Sequence, residues 1–236
     1  MTDYYYRQVN SVRFGPGALT PVVRNLLIAN GAVFALQVVF YYAMGGYRNP
    51  QYVDPVSYWF GLSPALGVFK GKIWQIGTYM FLHSIRSPMH ILFNMFYLWM
   101  FGVSVEQRMG TRSFAWMYFI SGIGAGLLTC LFPPFWGATT IGASGAVFGV
   151  LLAYGLLFPD RMILIFFIIP VKAIYMVMGL IAVEVLYMIS SMSDGVAHIT
   201  HVSGAAFAYL FLRYQSRIMN SLPKAAPPGP VDAVKR

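Results

Sequence analysis

Residues 162–191 read MILIFFIIPVKAIYMVMGLIAVEVLYMISS, an apolar stretch interrupted by Pro170, Lys172 and Glu184. How often this stretch crosses a bilayer decides the fold, because it sets the side on which everything after it begins. It could be one tilted helix, two short helices, or one helix with an interfacial lead-in. Pro170 removes a backbone donor and clashes with the preceding turn, so a continuous helix is disfavoured there. The part before it, Met162 to Ile169, would rise only about 12 Å as helix, against a hydrocarbon core of roughly 30 Å. One crossing is therefore expected, near residues 172–191.

Working outward, five further apolar runs bounded by Gly, Pro and charges predict helices near 24–44, 89–105, 112–132, 142–158 and 197–214. The expected fold is an all-α membrane protein, a bundle of six transmembrane helices with a long first loop, 45–88. That loop is rich in Tyr, Trp and Phe, a composition suited to the membrane interface. With 58% hydrophobic and 10% charged residues among 236, the chain lies far from the roughly 25% charged of soluble domains. The organisation expected is a cytosolic segment at 1–21, a membrane domain at 22–215 and a cytosolic tail at 216–236. The tail is Pro-rich and polar from Leu222 onward and is expected to be disordered. The run Leu26 to Ala43 follows Arg7, Arg13 and Arg24 and lacks a small-residue cleavage pattern after it, so it reads as a retained first helix.

A formal charge of +9 would suit nucleic acid, but the basic residues are scattered between apolar runs without a continuous stripe. No nucleic-acid partner is expected; topology accounts for the charge. With six spans, twelve Lys and Arg fall on the side of the termini and four, Arg48, Lys70, Lys72 and Arg86, on the other. The positive-inside rule then puts both termini in the cytosol of a multi-pass protein of the plasma or inner membrane. Cys130 is the single cysteine and can form neither an intrachain disulfide nor a zinc cluster, and no metal or organic cofactor is implied.

Helices two, four and six would enter from the outer side, and polar residues stand near those three starts: His90 with Asn94, Ser144, and His198 with His201. Such groups are expensive in a bilayer and usually face a bundle interior or a wet cavity, so three at similar depth point to one shared site. Histidine titrates in the range needed to take a proton from a serine hydroxyl. His90 and Asn94, four apart, share a helix face from which donors could reach an oxyanion. Gly142, Gly145 and Gly149 give the Ser144 helix a small face for close packing. Singly, each feature has a plainer reading, since a glycine-flanked serine is usually a packing residue and a histidine near a helix end is often interfacial. Nor is this the serine elbow of soluble hydrolases, because Ala146 stands where that turn needs glycine. Their conjunction carries the expectation.

The stretch Gly142-Ala143-Ser144-Gly145 resembles the nucleophile motif of rhomboid intramembrane serine proteases, and His90-Ile91-Leu92-Phe93-Asn94 resembles their helix-two motif. Trp74 to His83, Glu106 to Gly110 and Ala197 to Tyr209 extend the likeness, which covers roughly residues 22–215. The resemblance implies Ser144 as nucleophile and His201 as general base, with His90, Asn94 and the Ser144 backbone N–H holding the oxyanion. Gly142, Gly145, Phe148 and His198 would support them. His201 is chosen over His198 because the family pattern has glycine three residues after the base and a small residue seven after it, which Gly204 and Ala208 supply. Phe148 stands where relatives often have a tyrosine stacked on the base, and Ser203 and Ala208 replace common glycines. The implied activity is cleavage of transmembrane protein substrates near the outer face, with the lipid bilayer as the other partner.

An inactive rhomboid-like protein that binds transmembrane clients is the alternative, and a small-molecule transporter a third, although no inverted repeat of spans is visible. Glu184, mid-helix, could orient His201 as a third member, but helix rise puts it deeper than His201, so a bundle-facing structural carboxyl is the expectation. Glu106 and Arg108 are expected to pair structurally at the cytosolic end of helix two, and His83 to be a loop-packing residue.

Overall fold

The computed structural model describes residues 16–49, 52–132, 139–165, 168–190 and 197–221. The segments 1–15 and 222–236, which hold most of the expected N-terminal segment and tail, lie outside the described residues. Helices stand at all six expected positions: α1 (Pro21–Ala43), α4 (Pro88–Met109), α5 (Thr111–Leu131), α6 (Ser144–Leu157), α7 (Ala173–Ser190) and α8 (His198–Ser221). Short helices α2 (Pro55–Phe60) and α3 (Gln75–Thr78) lie in the first loop. By length and composition α1, α4, α5 and α7 could each cross a membrane, whereas α6 is a shorter apolar helix. At 14 residues α6 spans about 21 Å.

Proline at the first turn fits α1 and α4, where the missing N–H would have had no intrahelical partner. The start of α1 is completed from a distance: the Glu106 carboxylate accepts the N–H groups of Val22 and Val23, at 3.1 and 3.0 Å. A carboxylate at a helix N-terminus satisfies orphan donors and opposes the positive end of the dipole. The expected pairing role of Glu106 is thus a capping role, invisible to local sequence because its partners are more than eighty residues away. Between α4 and α5 the chain reverses at Gly110, whose φ of +83° only glycine adopts without strain.

The core gathers around α6, which packs on α4, α5, α7 and α8. Small residues set the approach. A Cβ on Gly204 of α8 would collide with the carbonyl oxygen of Gly145, and one on Gly149 would stand 2.7 Å from Ser121 Oγ of α5. Thr129 and Thr200 join α5 to α8 by a hydroxyl hydrogen bond of 2.8 Å. Toward the outside, α1 and α7 keep most of their apolar surface uncovered, as helices facing lipid do.

The first loop is tied down rather than slack. Gln37 of α1 donates to Ser57 Oγ and to the carbonyl of His83 and accepts the His83 N–H. Leu62 and Thr140 exchange backbone hydrogen bonds, which fastens the loop to the segment before Ser144. Tyr58, Trp59, Phe60 and Trp74 remain exposed, with Lys72 lying over Tyr58 and Trp59 at 4.2 and 4.3 Å. An exposed aromatic shelf carrying a lysine is interfacial chemistry.

Residues 162–172 depart from the all-helical expectation. Strands β1 (Met162–Ile165) and β2 (Ile169–Lys172) form an antiparallel hairpin pairing Met162 with Lys172 and Ile165 with Ile169. Pro170 lacks the donor a helix would need there, while β-branched neighbours favour extended backbone. The hairpin leads into α7 and is anchored by the Ala173 N–H donating to the Arg161 carbonyl and by an exposed Lys172–Asp160 ion pair at 2.8 Å. The single crossing expected in 162–191 corresponds to α7.

Candidate active site

Ser144 opens α6, so its backbone N–H belongs to the first turn, whose donors have no partner within their own helix. Just before it, Gly142 has φ +127°, a conformation that L side chains rarely adopt. Space makes the same demand. A Cβ on Gly142 would stand 2.6 Å from His90 Nε2 and 3.6 Å from Ser144 Oγ, so the histidine of α4 and the serine of α6 flank the one place where a side chain is missing. The Gly142 N–H is held by the Tyr79 carbonyl at 3.0 Å, and Tyr79 in turn donates its hydroxyl to the Gly122 carbonyl.

The close approach of α6 and α8 at Gly145 and Gly204 brings His201 to the serine: Nε2 lies 2.7 Å from Ser144 Oγ. The Phe148 ring stacks on His201 with centroids 4.6 Å apart and planes 11° apart. Ser144, His201 and His90 are each part-exposed. His90 is oriented from its other nitrogen, since the Ser84 N–H points at Nδ1, 3.4 Å away. With Nδ1 accepting, a neutral His90 carries its proton on Nε2, facing the Gly142 gap. Asn94 is placed differently. It is buried, and its Nδ2 donates to the His90 carbonyl at 2.8 Å, a bond back onto its own helix.

Behind the serine, Glu184 of α7 faces both histidines of α8. Its Oε2 is 2.6 Å from His198 Nδ1 and 2.9 Å from His201 Nδ1. The contact with His201 is off the straight line of a hydrogen bond, because that nitrogen has no partner meeting the angular requirement. Tyr187, one turn further along α7, stacks on His198 with centroids 5.0 Å apart. The spacing of Glu184 and Tyr187 on one helix face was the sequence signal that could have placed both against α8.

These three ligand-type groups, Glu184, His198 and His201, have donor atoms within 4.8 Å of one another. The separations of 2.6 and 2.9 Å are those of hydrogen-bonded or ion-paired groups. Zinc with bonds of about 2.0–2.1 Å at tetrahedral angles would hold its ligand atoms more than about 3 Å apart, so the cluster would have to spread to take one.

His83 packs edge-on against His90 with centroids 5.1 Å apart, and is fully buried with neither ring nitrogen hydrogen-bonded. Burial first, and the neighbouring His90 second, push its pKa down to about 3. It is a neutral ring wedged behind His90.

Comparison with known proteins agrees with the motifs. A family model, the Rhomboid domain, matches residues 70–217. The chain is 31% identical over 150 residues to "Rhomboid protease GlpG" of Yersinia pestis (strain Pestoides F), covering 62% of this chain and 49% of that protein. The match to "Rhomboid protease GlpG" of Yersinia pseudotuberculosis serotype O:3 has the same extent. "RHOMBOID-like protein 1" of Arabidopsis thaliana is 37% identical over 90 residues, 38% of this chain and 22% of that protein. The chain thus spans about half the length of the GlpG relatives it matches. With the domain match extending from the first loop to the last helix, and apolar helices throughout, this chain is a multi-pass integral membrane protein of the rhomboid family.

Proposed function

We propose that the protein is an intramembrane serine endopeptidase in which Ser144 attacks a peptide carbonyl and His201 is its general base. The observation that carries this reading is the 2.7 Å contact between Ser144 Oγ and His201 Nε2, at a part-exposed site inside an apolar bundle. As Oγ bonds the carbonyl carbon, the Ser144 proton passes to His201 Nε2 and the carbonyl π pair moves onto oxygen. The His90 Nε2–H faces the gap at Gly142, and with the Ser144 backbone N–H of the first turn of α6 it would hold the oxyanion formed there. Asn94 joins them if its amide turns away from the His90 carbonyl. Collapse of the tetrahedral adduct breaks the C–N bond, and His201 returns the proton to the leaving amine. Water then repeats the sequence on the acyl-enzyme. Phe148 holds the imidazole plane, while Gly145 lets the two helices approach.

In this reading all six long helices cross the membrane, α6 as a short span within the bundle, with both termini cytosolic in a plasma or inner membrane. A residue just after α7, such as 194, then lies outside, and a reporter fused there and found in the cytosol would overturn the topology and the pairing together. The substrates are transmembrane segments of other membrane proteins. A helix must unwind before Ser144 can reach a carbonyl, which costs least near the outer surface, where water satisfies the freed backbone. Cleavage is expected toward the outer end of the client helix, faster where Gly replaces Leu, and after a small residue, in keeping with the small residues Gly142, Gly145 and Ala146 around Ser144. The test is fluorophosphonate labelling of the purified protein together with cleavage of a single-span reporter in liposomes. Labelling that persists in Ser144→Ala, or a parent that neither labels nor cleaves, would reject the protease reading in favour of an inactive client-binding relative.

A further inference from the structure

The serine and base have a third neighbour. Helix α7 leaves most of its surface uncovered, yet Glu184 turns inward from it, with one oxygen facing two imidazoles at 2.6 and 2.9 Å. We infer that Glu184 is a positioning residue for the base, completing a Ser144–His201–Glu184 relay in which His198 anchors the carboxylate. This rests on the reading of Ser144 and His201 as nucleophile and base.

Hydrogen-bond bookkeeping supports it. An ionised carboxylate only accepts, so both Nδ1 atoms facing it carry protons. A neutral His201 protonated on Nδ1 is bare on Nε2, the nitrogen that must accept the Ser144 hydroxyl proton. The carboxylate therefore selects the productive tautomer. When Nε2 takes the proton, an imidazolium forms beside an existing negative charge in a site of low dielectric, where that charge counts for more than in water. No proton moves to Glu184. Geometry divides the labour: the Phe148 ring fixes the plane of the imidazole, and the carboxylate fixes its rotation within that plane. The resting Nδ1 contact is misaligned, as catalytic hydrogen bonds often are before substrate tightens them. Among the described residues, the other titratable groups near His201 are His198 on its own helix, on which Tyr187 of α7 stacks, and His90 on α4, and none of these brings a carboxylate. A purely structural tie between α7 and α8 would be complete with the Glu184–His198 bond alone.

The test compares the parent, Glu184→Gln and Glu184→Asp as full-length protein in liposomes, reading kcat and KM on a single-span reporter, the fluorophosphonate labelling rate, and the thermal midpoint. Glu184→Gln keeps the shape and removes the charge. Its kcat and labelling rate should fall about tenfold or more at unchanged KM and unchanged midpoint, with Asp restoring part of the loss. A Glu184→Gln protein within about twofold of the parent in kcat and labelling, or one whose loss follows a lowered midpoint in both the Gln and Asp variants, would overturn the role. A parent in which Ser144 is not labelled would instead remove the protease reading, and this role with it.

Discussion

Two glutamates lie in otherwise apolar helices, and the bundle places them differently. Glu106, near the end of α4, is buried and gives both carboxylate oxygens to the backbone N–H groups of Val22 and Val23. Glu184, within α7, is part-exposed and faces two side-chain imidazoles, one of them already touching a serine hydroxyl. The first carboxylate meets partners that every helix start provides, and its work is finished when α1 is capped. The second meets side-chain imidazoles, one of which contacts the Ser144 hydroxyl. A carboxylate bonded to fixed backbone donors reads as structure; one bonded to a titratable ring beside a nucleophile reads as chemistry.

The largest effects test the chemical end. Ser144→Ala and His201→Ala should each abolish cleavage of a transmembrane reporter, because the remaining donors have no nucleophile or base to serve. Full activity in either variant would make the Glu184 cluster a structural one like Glu106. His90→Ala should cost up to roughly 3 kcal/mol of transition-state stabilisation, on the order of a hundredfold in kcat, the scale of one lost oxyanion donor. Asn94→Ala sharpens the picture, since its amide now faces the His90 carbonyl. A loss as large as that of His90→Ala would mean that the amide swings into the site, whereas unchanged kinetics would leave Asn94 as a brace for its own helix.

At the structural end, Glu106→Ala should lower stability by about 2–3 kcal/mol, since two donors at a buried helix start lose their acceptor. Thermal midpoint and kcat measured on the same preparation separate the two glutamates. The midpoint should fall in Glu106→Ala with kcat retained by the folded protein. A drop in kcat at an unchanged midpoint would erase the distinction drawn here.

Helix placement was legible because burial in lipid needs long apolar runs, and these survive in a single sequence. Ser144, His90 and the pair His198 and His201 could be singled out because polar groups stand out against that background, whereas the preference for His201 came from the family pattern. What escaped was contact across distance. Nothing local to Glu106 announces Val22, and rise along one helix cannot tell how α7 is shifted against α8, so the sequence leaves the contact of Glu184 with His201 as the less favoured of two readings. The hairpin at 162–172 escaped for another reason: Ile and Leu runs suit helix and strand alike, and Pro170 says only where a helix fails. The direction of the Asn94 amide depends on a side-chain rotation that residue spacing does not encode.

The smallest expected effect concerns His198, and it decides how the Glu184 carboxylate is shared. His198 makes the shorter contact with Glu184, at 2.6 Å, and stacks on Tyr187, but the structure puts His201 and not His198 against Ser144 Oγ. If His198 is an anchor, His198→Ala frees the carboxylate without removing its charge, and Glu184 can still turn to His201 Nδ1. The loss should then be a few-fold in kcat, smaller than for Glu184→Gln, because charge and tautomer selection survive while only orientation loosens. Cleavage assays on the two variants side by side give the ranking. A His198→Ala protein as inactive as His201→Ala, at an unchanged thermal midpoint, would move the base to the other histidine. One indistinguishable from the parent would leave Glu184 held by His201 alone.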